Sequence, residues 1–330
     1  MSGHDEMDRR GFLRAAGAMA AIAATGCTRA ATVGSPAASA ATAGGAGRLP
    51  LGFSTLGSPK WDWLQTLDFA AANGFASIEL RGLQQTMDLS KRPEFQPDRI
   101  AQTKQELAAR GLAVPCLGAS VNLHEQDTTK LGSAMAETRR FIDVASALGA
   151  PYVRVFGNTY VQGMSREAVH AYIARGLREL GEYARPRGVM VLLESHGDFV
   201  TSPALVDLMQ RADSPAVGIL WDAHHTFVAK EPTETSVAQL GRWIRHTHLK
   251  DSVPAPSGSG RKYVLTGRGE VPVKQQIEAL ARTGYKGYYS LEWEKRWHPE
   301  LDEPEVAFAD FAKVASGYLR DAGVKPIASR

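Results

Sequence analysis

The chain has 330 residues, of which 44% are hydrophobic and 22% are charged, and this composition excludes disorder throughout. Its net charge is +3, and the first 48 residues contain five arginines against three acidic residues. The remaining residues are therefore almost neutral, which argues against the basic groove that a nucleic acid requires. The only two cysteines, Cys27 and Cys116, exclude a disulfide framework and a thiolate zinc cluster.

The first 27 residues have the pattern of an export signal. Adjacent arginines in Asp8–Arg14, followed by the weakly apolar segment Ala15–Ala24, resemble a twin-arginine signal peptide. The alternative is an ordinary amphipathic helix, and the apolar run is about half as long as a membrane-spanning helix. The order Ala-Thr-Gly-Cys ending at Cys27 partly resembles a lipoprotein cleavage site, although the usual leucine is missing. We expect residues 1–27 to engage the twin-arginine export machinery and direct the chain to the periplasm or another extracytoplasmic place, with Cys27 as a candidate lipid anchor.

The next segment, residues 28–48, is rich in Ala, Gly, Ser and Thr and has almost no large apolar side chain. Such a segment cannot form a core and is predicted to be a flexible linker. Residues 49–330 are predicted to form a single folded domain, whose oligomeric state the sequence does not decide.

Short β-rich runs alternate with longer helical patterns beyond Leu49. The predicted strands are Leu51–Leu56, Ser77–Arg81, Ala113–Ala119, Tyr152–Gly157, Met190–His196, Val217–Asp222, Ile244–Lys250 and Tyr288–Glu294. The predicted helices are Trp61–Asn73, Arg99–Arg110, Ser133–Leu148, Arg166–Arg185, Pro203–Arg211, Val273–Arg282 and Glu305–Asp321. Many helices end at a glycine before the next strand: Gly74, Gly111, Gly149, Gly188 and Gly284.

Eight such alternations in about 280 residues predict an α/β fold of the (β/α)8 TIM-barrel type. A doubly wound open sheet is the alternative. It is disfavoured because the turn after the first strand, Thr55–Pro59, is not a glycine-rich phosphate-binding turn.

Polar residues mark the carboxyl ends of the last four strands, where a barrel of this type carries its functional groups. Alternation along each strand can direct Glu194, Asp222, His248 and Glu292 towards one point. Three neighbouring buried carboxylates repel one another unless a cation compensates them. The pattern therefore predicts one bound divalent metal ion. Oxygen-rich ligation with a single imidazole favours Mn²⁺, with Mg²⁺, Co²⁺ or Zn²⁺ as alternatives.

Four segments at these strand ends resemble the xylose-isomerase-like TIM-barrel superfamily of sugar isomerases and epimerases. They are Leu193–Gly197, Trp221–His225, His248–Asp251 and Ser290–Glu294, and the resemblance extends from Leu49 to Gly323. The sequence is most similar to the branch that contains ketose 3-epimerases, inosose dehydratase and hydroxypyruvate isomerase. The resemblance implies that Glu194, Asp222, His248 and Glu292 are metal ligands. It also implies that His225 contacts the substrate and that Glu79 lies near the site.

The activity that this resemblance implies is proton transfer next to a carbonyl group, through an enediolate, with Glu194 and Glu292 as base and acid. The substrate would be an unphosphorylated keto-sugar or a related polyol. Lys250 would stabilise the enediolate or protonate a leaving hydroxyl, or else would only form an ion pair. His196 and Arg154 are further candidates for substrate binding, whereas His224 and His246 are expected to be structural.

Three alternatives remain open at this stage. A lyase, dehydratase or hydrolase acting on 3-keto-glycosides or inososes would begin with the same proton abstraction, and a sugar-binding protein without catalysis would keep the barrel. The related apurinic endonucleases hold three metals with additional histidines, for which strands two and three offer only His124. The long segment Ser252–Glu270 is predicted to be either a mobile lid over the barrel or a solvated loop.

Overall fold

The computed structural model describes residues 47–327 except 257 and 259. The predicted signal peptide, Cys27 and most of the predicted linker lie outside these residues. Arg48, the last residue of that linker, forms an antiparallel bridge with Ile327. Its guanidinium group also donates to the carbonyl oxygens of Phe75 (3.0 Å) and Arg110 (2.8 Å), so Arg48 is tied into the folded body.

Eight parallel strands form the barrel, and an additional pair forms a hairpin. In chain order the strands are Leu51–Ser54 (β1), Ser77–Glu79 (β2), Cys116–Asn122 (β3), Tyr152–Phe156 (β4), Met190–Glu194 (β5), Val217–Asp222 (β6), Ile244–Leu249 (β7), Asp251–Pro254 (β8), Arg261–Val264 (β9) and Tyr289–Leu291 (β10). The parallel strands follow the order β2-β1-β10-β7-β6-β5-β4-β3. The backbone N–H of Gly118 on β3 donates to the Leu80 carbonyl just after β2 (2.8 Å), which closes the ring. The predicted TIM barrel is confirmed.

Nine helices are found among the described residues, and most of them surround the strands. They are Trp63–Ala72 (α1), Ile100–Ala109 (α2), Thr128–Leu148 (α3), Arg166–Ala184 (α4), Ser202–Ala212 (α5), Ala223–Val228 (α6), Thr233–Leu240 (α7), Val273–Arg282 (α8) and Pro304–Asp321 (α9). The sequence analysis missed α6 and α7, and it began α3 five residues late. The true start of α3 is fixed by Asp127, whose carboxylate accepts the N–H groups of Thr129 and Lys130.

The glycines predicted to end helices all adopt positive φ, between 61° and 85°. Gly118 on β3 is required by close packing, because a Cβ there would lie 2.6 Å from the Arg81 side chain and 2.8 Å from that of Arg154. Gly118 thus makes room for two arginines inside the barrel. No helix among the described residues combines the length and the apolar character needed to cross a membrane.

A β-hairpin occupies the segment predicted to be a lid or a loop. Strands β8 and β9 pair antiparallel, with Ser252 opposite Tyr263. The buried carboxylate of Asp251 organises the chain that returns from the hairpin, because it accepts four backbone N–H groups at 2.8–3.1 Å. The donors are Ser252, Gly267, Gly269 and Val271. The hairpin is therefore anchored at the carboxyl end of β7, beside the predicted site.

We expect Asp251→Ala to reduce the free energy of unfolding by about 3 kcal/mol, since the change leaves four backbone N–H groups, two of them buried, without their charged acceptor. Urea denaturation followed by circular dichroism measures this difference. Asp68→Ala is the matched control, because Asp68 is a mainly exposed partner of Arg110. Equal stability of the two variants would contradict the role given to Asp251.

Candidate functional site

Strand register brings four polar side chains together at the carboxyl end of the barrel. Asp222 on β6 pairs directly with His248 on β7, and His248 pairs with Ser290 on β10. Glu292 follows Ser290 by two residues, so both side chains are directed to the same face. Glu194 ends β5, whose register places it beside Leu220, two residues before Asp222. The residues Glu194, Asp222, His248 and Glu292 are called the four-residue cluster below.

One potential ligand atom from each member of the four-residue cluster lies within 4.8 Å of the others, and all four residues are buried. His248 Nδ1 lies 3.3 Å from Glu292 Oε1, 3.7 Å from Glu194 Oε1 and 3.9 Å from Asp222 Oδ2. This nitrogen has no hydrogen-bond partner among the described residues. An unpartnered imidazole nitrogen facing three carboxylates is the arrangement expected of a metal-binding site.

Glu79 and His246 lie behind His248. The Oε2 atom of Glu79 accepts hydrogen bonds from Nε2 of both His246 and His248, each at 2.8 Å, and its Oε1 accepts one from Ser54 at 3.2 Å. Because Nε2 of His248 is the donor to Glu79, the lone pair of the neutral ring is on Nδ1, which faces the cluster. Glu79, a candidate for substrate binding, is fully buried and orients His248 from behind the cluster.

Two cationic side chains form ion pairs with the carboxylates of the cluster. Arg154 Nε lies 2.9 Å from Glu194 Oε2, and another nitrogen of this guanidinium donates to the Ala119 carbonyl. Lys250 Nζ forms ion pairs with Asp222 Oδ2 at 2.8 Å and with Glu292 Oε2. Arg154 and Lys250 thus hold Glu194 and Glu292 by one oxygen while the other oxygen faces His248, and the predicted contact of these two cations with substrate stays a prediction.

The surroundings separate the acidities of the two glutamates. Burial alone would raise the pKa of Glu194, but Arg154 and His248 outweigh it and lower that pKa to about 2. Burial raises the pKa of Glu292 despite the nearby His248 and Lys250. Burial would lower the pKa of His248, but Glu292 and Glu79 raise it well above its ordinary value. Negative charge thus dominates around this imidazole.

Counting the charged groups tests whether a divalent ion fits. The carboxyl groups in or beside the cluster are Glu79, Glu194, Asp222, Glu292 and Glu294, and the buried cationic side chains are Arg81, Arg154 and Lys250. With neutral histidines, five carboxylates and three cations leave two negative charges, which one divalent cation would neutralise. Both the donor atoms and the charge of the site therefore suit a divalent metal ion.

The remaining predicted substrate-binding residues lie beside the cluster. His225 Nε2 is 3.5 Å from Asp222 Oδ2, and the His225 ring is partly accessible. His196 Nδ1 donates to Asn158 Oδ1 (2.7 Å), and the His196 ring lies edge-to-face with that of His225, with centroids 5.0 Å apart. Both side chains are thus placed where a molecule bound at the cluster would meet them.

Three residues that the sequence analysis did not assign to the site also lie there. Glu294 Oε1 accepts from Lys250 Nζ (2.7 Å) and from the Tyr263 hydroxyl (2.9 Å), and Arg81 donates to Ser120. Tyr263 belongs to β9, so it was hidden by the interpretation of its segment as a loop. Tyr263 and Val264, which are residue types enriched in strands, were the signal that could have identified the strand.

The fold agrees with comparisons to known proteins. The family model described as xylose isomerase-like TIM barrel matches residues 67–313, and the chain belongs to this family. A relative is the inosose isomerase of Halalkalibacterium halodurans, which is 24% identical over 251 residues, or 74% of this chain and 86% of the relative.

Solved structures share the same fold. The probable 3-DHS dehydratase AsbF of Bacillus anthracis has a TM-score of 0.68 and 19% identity, over 81% of this chain and 99% of that one. A structure of the IOLI protein with a binding zinc atom has a TM-score of 0.65 and 19% identity, over 84% and 99% of the two chains. The proteins that this chain is similar to thus include one named as an isomerase, one named as a probable dehydratase and one solved with a zinc atom.

We expect the purified protein to bind one Mn²⁺ ion, as measured by isothermal titration calorimetry. Asp222→Asn should weaken this binding strongly, because an amide oxygen replaces a charged donor although the side chain can still cap α6. Glu79→Gln should weaken it by about 10- to 100-fold, since His248 loses its charged hydrogen-bond acceptor.

His170→Ala is the control for these variants. His170 is a buried histidine that pairs with Asp207 and Tyr160, and it is absent from the four-residue cluster. It should leave the affinity for Mn²⁺ unchanged. Wild-type affinity in Asp222→Asn would remove that residue from the metal site, whereas wild-type affinity in Glu79→Gln alone would remove only the orienting role of Glu79.

Proposed function

We propose that this protein is a metal-dependent isomerase or epimerase of an unphosphorylated keto-sugar or related polyol. The observation that carries the proposal is the four-residue cluster, which combines a metal-type donor set with two glutamates on separate strands. Membership in the xylose isomerase-like family and the named isomerase among the relatives support this assignment. Fold alone would not be sufficient, because one fold carries many reactions.

Mn²⁺ is the proposed cofactor. Three carboxylates and one imidazole form a harder donor set than the thiolate-containing sites of structural zinc, although Mg²⁺, Co²⁺ and Zn²⁺ remain alternatives for the test. When bound, the ion would polarise the substrate carbonyl as a Lewis acid and acidify the adjacent C–H bond.

Glu194 and Glu292 are the proposed base and acid. Glu194 ends β5 and Glu292 directly follows β10, with β6 and β7 between these strands, so they can approach a substrate from different sides. Arg154 keeps Glu194 ionised, and Glu194 removes the proton next to the carbonyl. The electrons of the C–H bond form the new C=C bond of the enediolate. Glu292, whose pKa burial raises, returns a proton to the opposite face and so inverts the carbon.

A lyase that eliminates water or an aglycone from a cyclic ketone is the second candidate. Two acids, the Lys250 ammonium and the Tyr263 hydroxyl, both meet Glu294 at the edge of the cluster. Either acid could protonate a departing oxygen after the same proton abstraction. The dehydratase among the structural neighbours is in keeping with this reaction.

Proton exchange in D₂O distinguishes these reactions. The Mn²⁺-loaded protein should incorporate deuterium next to the carbonyl of at least one member of a panel of unphosphorylated keto-sugars, inososes and 3-keto-glycosides. Inversion of the labelled carbon indicates the epimerase, and release of water or aglycone indicates the lyase. Glu194→Gln and Glu292→Gln should each reduce the exchange rate by about 10²- to 10⁴-fold.

Glu179→Gln provides the matched control. Glu179 lies on the surface of α4 and pairs with Arg139 of α3. It should keep the wild-type exchange rate. Absence of exchange with the entire panel would refute the proposed chemistry and favour a sugar-binding protein, whereas unchanged rates in the Glu194 and Glu292 variants would remove them from the mechanism.

We further propose that the protein acts outside the cytoplasm, on the basis of the paired arginines and the apolar run in residues 1–27. Unphosphorylated sugars and glycosides are substrates found in that compartment. The twin-arginine route exports folded proteins, which would allow the metal to be inserted before transport.

Cell fractionation tests this location. The native chain should be recovered outside the cytoplasm, while a variant with Arg9→Lys and Arg10→Lys should remain inside. If Cys27 carries a lipid, Cys27→Ser should move the protein from the membrane fraction to the soluble extracytoplasmic fraction. Recovery of the native chain only from the cytosol would overturn the export proposal.

A further inference from the structure

Six aromatic rings form a continuous series at the carboxyl end of the barrel. In order of contact they are Phe156, His196, His225, His224, Tyr263 and His298, and they are called the aromatic arc below. Neighbouring centroids are 4.7–5.6 Å apart, within the range of favourable ring contacts. The rings come from the ends of four barrel strands and from the hairpin, so the sequence does not show that they are adjacent.

One end of the aromatic arc touches the cluster. His225 is 3.5 Å from Asp222, and the guanidinium of Arg154, which holds Glu194, lies 4.0 Å from the centre of the Phe156 ring. Both rings are partly accessible. A substrate that binds with its carbonyl at the cluster would therefore meet this inner part of the arc.

The other end of the aromatic arc reaches the surface. Tyr263 donates to Glu294 at the edge of the cluster, and its ring lies edge-to-face with that of His298, whose side chain is 41% exposed. The next residue in the chain, Trp297, is 52% exposed. His224, between the two ends, is buried and its Nε2 pairs with the Ser252 hydroxyl, so the accessible rings of the arc lie beside the cluster and at the surface. These two places can contact a reacting ring and a substituent that it carries.

The arrangement of the rings suits a cyclic polyol. Neighbouring ring planes in the arc are inclined by 53–84°, so faces and edges alternate along it. Ring faces can pack against the C–H groups of a sugar ring, while imidazole nitrogens and the tyrosine hydroxyl can bond to its hydroxyl groups. An acyclic keto-sugar has no rigid C–H face to present and would lose more conformational freedom on binding.

We propose that the aromatic arc is a binding subsite for a cyclic polyol ketone that carries a substituent, that is, a keto-glycoside. The reacting ring lies against Phe156, His196 and His225, and the substituent lies against Tyr263 and His298. This inference rests on the proposed function, because the cluster defines which end of the arc is reactive.

Calorimetric titration of the Mn²⁺-loaded protein with three ketones tests the proposal. The probes are phenyl 3-keto-β-D-glucopyranoside (a substituted ring), scyllo-inosose (an unsubstituted ring) and L-erythrulose (acyclic). Affinity should decrease in that order. Tyr263→Ala should reduce the affinity for the glycoside by about tenfold. Tyr263→Phe should reduce it by less than about threefold, because the ring is retained.

His298→Ala should reduce the affinity for the glycoside and leave the affinity for scyllo-inosose unchanged. His170→Ala should change neither affinity. Undiminished Mn²⁺ uptake by each variant shows that the fold and the cluster are intact. Any one of three results would overturn the subsite. They are equal affinity for all three ketones, no binding of either cyclic ketone, and full affinity for the glycoside in both Tyr263→Ala and His298→Ala.

The outcomes also separate the subsite from the chemistry. Arc-dependent binding of the glycoside without deuterium exchange would leave the subsite standing and refute the proposed isomerase. Deuterium exchange on L-erythrulose without preference for cyclic ketones would support the proposed isomerase and refute the subsite.

Discussion

Repulsion among buried carboxylates is the constraint on which the arrangement of the barrel mouth depends. Glu194, Asp222 and Glu292 are almost fully removed from water, yet each lies within 4 Å of the same imidazole nitrogen. In this environment, uncompensated negative charge costs several kcal/mol per ion. Arg81, Arg154 and Lys250 supply part of the compensation, and once Glu79 and Glu294 are also counted two negative charges remain for a bound ion to neutralise.

The two oxygens of each carboxylate make different contacts, and these contacts make the crowding tolerable. In Glu194 and Glu292, one oxygen is held by a cationic side chain and the other faces His248. In Asp222, Oδ1 accepts the N–H groups of His224 and His225 and so caps α6. Structural hydrogen bonds therefore fix each carboxylate before any ligand is considered, and this preorganisation is what a metal site or a catalytic pair requires.

The barrel and the four-residue cluster could be predicted because they follow from local rules. Strand alternation and the common edge of parallel strands suffice to bring Glu194, Asp222, His248 and Glu292 together. Other features depend on contacts between distant residues. The hydrogen bonds of Glu79 to two histidines on β7 join residues 167 and 169 positions apart. The hairpin was missed because its glycines and prolines outweighed the short strand-forming pair Tyr263 and Val264.

The location of these features separates chemistry from selectivity. The cluster is formed by the ends of barrel strands, whose register is set by backbone hydrogen bonds, and it is supported from below by Glu79 and His246. Tyr263 and His298 instead lie on the hairpin and on the segment after β10, where substitutions disturb the barrel least. Under the proposed function, the cluster would supply the chemistry and these outer residues would set the substrate, since one fold can carry many reactions.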